Sequence, residues 1–157
     1  MYQNKPNNSK NKKYFTKFSK YTWILAGIIV LASIVRLYYF PFEVPLSSDA
    51  LYYFWYSSDI FQIEKLPSDW TPANTGWPIF VSTIFSIVNI NDIEIQMSIQ
   101  RGLSVLISIV TSISVYFLCK KFVSSKFAII GATLIAFDPR LIINSFLGVT
   151  DPLYLLL

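Results

Sequence analysis

Residues 21–40 read YTWILAGIIVLASIVRLYYF. This is a run of about 20 mostly apolar residues. Wound as an α-helix it extends about 30 Å, the thickness of a bilayer's hydrocarbon core. Arg36 is its one charge and lies near the far end, where a long side chain is expected to reach the headgroups. A cleaved secretory leader is the competing reading. Against it, the apolar stretch is too long, and Pro41-Phe42-Glu43 follows no small-x-small site. The preceding residues, 1–20, carry Lys5, Lys10, Lys12, Lys13, Lys17 and Lys20 with no acid among them. A segment of this polar, basic composition cannot form a core and reads as a disordered basic tail flanking a membrane span, not as a nucleic-acid-binding arm.

The composition points the same way. Of 157 residues, 54% are hydrophobic, 17% aromatic and only 14% charged, against about 25% charged in soluble domains. The expectation is an all-α, multi-pass transmembrane bundle, with residues 21–157 as its membrane domain and interfacial helices in a long first external loop. Histidine is absent and Cys119 is the single cysteine. These facts exclude imidazole chemistry, a disulfide framework and a thiolate zinc site.

Beyond the first run, residues 41–98 form a mixed loop. It holds Glu43, Asp49, Asp59, Glu64, Asp69, Asp92 and Glu94 against one base, Lys65. Two parts of it read as interfacial helices: aromatic-rich 49–62 and apolar 77–88, the latter too short to span. Further spans are expected at about 99–118 and 122–137, the second closed by Asp138-Pro139-Arg140. Residues 141–149 form another apolar stretch, with Asn144 and Ser145. A fourth span opens at Asp151-Pro152 and continues over 151–157, which reads as the start of a segment cut short.

Charge sets the expected threading. Bases gather in the tail and at Lys120, Lys121 and Lys126, and acids gather in 41–98. The positive-inside rule then puts the N-terminus and the Lys120–Lys126 turn in the cytoplasm of a cell membrane, and the 41–98 loop outside. Asp49, Asp138 and Asp151 should all emerge on the outer face. Carboxylates at membrane depth tend to mark function. Asp49 has two readings. Ser48 or Asp49 could cap a helix, or Asp49 could be a working carboxylate with Tyr52 and Tyr53 on its face. Asp151 could equally be a helix start beside proline. Asp138 reads as a turn former.

Taken in order, these residues resemble the GT-C superfamily of polytopic glycosyltransferases. The similarity is to dolichyl-phosphate-mannose–protein mannosyltransferases and lipid A aminoarabinose transferases. It is carried by Arg36 ending the first span, Asp49 followed by Tyr52 and Tyr53, and the loop segment Gly76-Trp77-Pro78-Ile79-Phe80. Arg101-Gly102-Leu103, Tyr116-Phe117-Leu118-Cys119-Lys120-Lys121, Ala136-Phe137-Asp138-Pro139 and Thr150-Asp151-Pro152-Leu153 follow. It covers the chain from Trp23 onward. Ala50 stands where many relatives carry a second carboxylate, and Thr75-Gly76-Trp77 stand where the lipid A branch has a lysine before proline.

The resemblance implies transfer of a hexose such as mannose from a polyprenyl- or dolichyl-phosphate donor to a protein, glycan or lipid hydroxyl, with inversion. It implies Asp49 as general base, Asp151 lining the same cavity, and Tyr52, Tyr53, Arg101 and Arg140 as substrate-binding residues. Mg or Mn assistance is compatible with it; no metal ligand is assigned. Two other classes compete. One is a truncated, inactive membrane protein or assembly partner. The other is a transporter subunit, disfavoured because no charge is expected in mid-span and no broken-helix pair is visible.

Overall fold

The computed structural model describes residues 20–46, 48–69 and 74–156. The basic tail up to Ser19 lies outside them. The described chain is all-helical. Seven helices follow in order: α1 Lys20–Tyr38, α2 Asp49–Ile63, α3 Gly76–Val88, α4 Ile93–Lys120, α5 Ser125–Ala136, α6 Pro139–Leu147 and α7 Asp151–Leu156. Two of them, α1 and α4, are long and apolar enough to cross a membrane, and α5 with α6 makes a third if that bent pair is one span.

The long helix α4 is the hub. Its N-terminus is capped by Asp92, whose carboxylate accepts from the Glu94 and Ile95 amides. It begins before the expected 99–118 span and ends beyond it. One face carries buried Gln100, Ser104, Ile107, Ser108, Thr111 and Ser112. The small members let neighbouring backbones approach closely. Thr111 and Ser112 return their hydroxyls to the carbonyls four residues back, which satisfies them inside an apolar helix.

Helix α5 answers with Ala128, Ala132 and Ala136, spaced by four and fully buried. Leu25 of α1 packs with Tyr116 of α4 and with Ala128 and Ala132, while Arg36 reaches Ser108. Helices α1 and α4 therefore run antiparallel, and Lys20 and Lys120 share one end of the bundle. The other face of α1 leaves Trp23, Val30, Leu31, Ile34 and Leu37 exposed, an outer surface suited to lipid. At the opposite end α2 packs on α3, and Phe54, Trp77, Val81 and Phe85 join Leu46, Ala50 and Ile107 in a second core.

At Asp138 the chain breaks between two helices, with Asp138 half-buried and Pro139 and Arg140 exposed. Helix α5 stops at Ala136, and α6 departs from its axis by 49°. Proline at 139 has no amide proton, and the Arg140 and Leu141 amides bond the Asp138 carboxylate instead. The Ala136 carbonyl thereby loses its partner four residues on. Arg36 supplies the replacement: its Nη1 donates to Ala136 O at 2.9 Å, and its Nη2 donates to Ser108 Oγ at 3.1 Å. Arg36 is fully buried, so its side chain does not reach toward headgroups. A freed backbone carbonyl inside the bundle attracts it more strongly than the interface does.

Helix α6 ends at Gly148, in the left-handed region at φ 74°. The chain then turns back, and α7 descends along α4 in the same direction. Its residues line a crevice with Ser108 and Thr111, and then a groove with Leu118 and Lys121.

Candidate functional site

Two consecutive turns in the N-terminal half of α4 hold the segments next to Asp49 and Asp151. Gln100 donates one amide nitrogen to two carbonyls, Ala50 O at 3.0 Å and Gly148 O at 2.8 Å. The same Gly148 carbonyl accepts from the Trp77 indole at 3.3 Å. Ser104 donates to Val149 O at 3.0 Å. Residues 50 and 148–149 are thus fastened to one side of one helix, although 98 residues separate Ala50 from Gly148 (148 − 50).

Gly148 is required there. A Cβ at this position would lie 3.0 Å from Leu46 Cδ2 and 3.6 Å from Arg101 Cα. Its positive φ disfavours any side chain as well.

Arg101 fastens two further segments. Its Nε donates to Phe146 O at 2.7 Å, Nη1 to Pro41 O at 2.6 Å and Nη2 to Val44 O at 2.8 Å. It is only 3% exposed. The guanidinium expected to meet a substrate is therefore engaged with three backbone carbonyls and joins the chain after α1 to the end of α6. A cavity of about 430 Å³ opens beside it, lined in part by Phe42, Glu43, Glu94 and Met97. Neither Asp49 nor Asp151 is among its walls.

The charges of both aspartates act on Tyr53. Its hydroxyl is held above the usual tyrosine range, first by partial burial and then by the negative charge of Asp49. Tyr154 and Asp151 add to the effect, and a hydrogen bond with the Thr150 side chain opposes it. Tyr154 in turn accepts from Asn74 Nδ2 at 2.6 Å. The constellation is Asp49 and Tyr53 from α2, Thr150, Asp151 and Tyr154 around the start of α7, and Asn74 ahead of α3. Both aspartates are exposed and Thr150 is buried. Two carboxylates beside a hydrogen-bonded phenol can accept a proton from a bound hydroxyl and orient it.

Helix α2 begins at Asp49, but the expected cap bond does not form. Ser48 stands at the cap position with φ 50° and makes no side-chain cap bond. Asp49 lies in the first turn, where its charge still complements the helix dipole. Tyr53 feels the charge of both aspartates; Tyr52 lies 46% exposed with its ring centroid 6.4 Å from that of Tyr53. Arg140 is exposed at the α5–α6 break and does not line the crevice that Asp151 borders. Asp138 caps α6. Among the described residues, no three acidic or cysteine side chains converge as metal ligands.

Sequence reading passed over Gln100 and Ser104, which fasten the site, and quoted Trp77 only within the loop segment 76–80. A glutamine beside an arginine at the head of an apolar helix was the available signal, since polar groups at membrane depth are costly unless bonded. No family model, no curated protein and no solved structure matches the chain.

Proposed function

We propose that this chain carries the acceptor-activating part of a membrane glycosyltransferase that uses a polyprenyl-phosphate sugar donor on the extracytoplasmic side. What supports this reading is the Gln100 bridge between Ala50, next to Asp49, and Gly148, three residues before Asp151, with the charges of both aspartates acting on Tyr53. In this reading an acceptor hydroxyl sits against Asp49. Its oxygen attacks the anomeric carbon, its proton passes to the Asp49 carboxylate, and the bond from that carbon to the donor phosphate oxygen breaks. The configuration inverts. Asp151 and Tyr53 orient the acceptor. Arg140, exposed on α6, is the expected arginine still open to an anion; Arg101 acts by holding the frame.

The lysines at one end of the bundle and the acids at the other support an orientation with Lys20 and Lys120 cytoplasmic and the Asp49 end outside. The sugar, a hexose such as mannose, and the acceptor, a protein, glycan or lipid, follow from the resemblance alone. The test is sugar transfer from polyprenyl-phosphate donors in membranes carrying the full gene product. Asp49→Asn is expected to lower turnover by about 10²–10⁴-fold, the range of general-base assistance. Wild-type turnover in that variant would remove Asp49 from the role.

A further inference from the structure

Arg36 is a fully buried guanidinium that donates only to neutral groups among the described residues: Ala32 O, Ala136 O and Ser108 Oγ. No carboxylate pairs with it among the described residues. A buried charge held only by neutral groups is costly, and its field acts strongly on whatever polar group lies next. That next group is Ser108. Its oxygen accepts from Arg36, and no protein acceptor takes its hydroxyl proton among the described residues.

Ser108 forms part of the wall of a crevice between α4, α5, α6 and α7, together with Thr111, Asn144 and Asp151. Thr111 returns its proton to Ile107 O. The Asn144 carboxamide makes no side-chain hydrogen bond among the described residues. The crevice therefore presents a polarised hydroxyl donor, an uncommitted carboxamide and a carboxylate. Its interior space of about 10 Å³ is enough for about one water molecule. An occupant must both accept and donate, and must be small and uncharged.

The geometry points to one water bound in this crevice, accepting from Ser108 and donating to Asp151, so that Arg36 acts on Asp151 through Ser108. Arg36 is then a positioning residue for that carboxylate as well as the partner of the helix break. The inference is independent of the sugar-transfer reading, because it concerns a bound water and not turnover.

The test is infrared difference spectroscopy on the reconstituted protein in D₂O, with H₂¹⁸O-derived D₂¹⁸O as the isotope control. A bound water predicts an O–D stretching band that shifts with ¹⁸O, is present in wild type and Ser108→Thr, is lost in Ser108→Val, and moves to higher frequency in Asp151→Asn, whose amide oxygen is a weaker acceptor. Arg36→Lys, which keeps the charge but alters the donor geometry, should move the band without removing it. No ¹⁸O-sensitive band, or one that persists in Ser108→Val or does not move in Asp151→Asn, overturns the proposal. A band that appears only in sodium salts and disappears in choline salts places a cation in the crevice and overturns it equally. Because Ser108→Thr retains the hydroxyl, misfolding of Ser108→Val leaves the Asp151→Asn arm to decide.

Discussion

Tyr53 is where the two aspartates become measurable. Its hydroxyl is raised by burial and then by Asp49, with Tyr154 and Asp151 adding. Removing a neighbouring negative charge lets the phenolate form more readily. Asp49→Asn should therefore bring the Tyr53 titration down toward the ordinary value near 10. Ultraviolet titration of wild type and Asp49→Asn, each against its Tyr53→Phe counterpart, isolates this one tyrosine. The stability consequence follows from the same sign. A folded-state value above the unfolded one contributes stability that is complete below about pH 10 and is lost as pH rises through the folded value. Gly148 is a second residue-scale case. Gly148→Ala puts a Cβ 3.0 Å from Leu46 Cδ2 in a left-handed conformation, and thermal unfolding in detergent should show a loss of about 1–2 kcal/mol. An unchanged midpoint would mean that the turn before α7 adapts.

At the scale of elements, the α5–α6 break is written in Asp138-Pro139 and completed by a residue 100 positions away. The proline and a turn at Asp138 were legible in sequence. That Asp138 caps a further helix bent by 49° from α5 was not. The reason is that Arg36, on a different helix, accommodates the freed Ala136 carbonyl. Arg36→Met removes the donor while keeping bulk. It should cost about 1–3 kcal/mol, the usual penalty for a buried unsatisfied polar group, read as a lower midpoint in thermal unfolding. Asp138→Ala combined with Pro139→Ala restores the amide proton at 139 and removes the competing cap. Spin labels at Phe127 and Ile143, both exposed, should then move apart as the bend relaxes. An unchanged distance distribution would show that packing against α4, not the proline, sets the angle.

Over the whole molecule, the antiparallel run of α1 and α4 puts Lys20 and Lys120 at one end and the acidic 41–98 loop toward the other. The proposed orientation predicts that, on a Cys119→Ser background, a cysteine at Glu43 reacts with an impermeant maleimide in intact cells. A cysteine at Phe122, which is exposed beside Lys121, should react only after permeabilisation. The reverse pattern would place Asp49 in the cytoplasm, away from any extracytoplasmic donor. The same view of the molecule explains the two arginines. Each lies on a long apolar helix, and each is fully bonded or nearly so within the bundle, although sequence reading placed one at the headgroups and the other at a substrate.

The sequence alone determined that the chain is helical, because apolar runs of bilayer length leave the backbone few ways to satisfy its own hydrogen bonds. It also located the first-loop helices α2 and α3 to within a residue or two. Only the tertiary structure decided that Gln100 draws Ala50 and Gly148 together and that Arg101 and Arg36 serve backbone carbonyls. Those outcomes depend on which carbonyls lose their partners and which distant donor lies within about 3 Å of them. Such pairings arise between helices that share no local sequence, so no pattern along the chain records them.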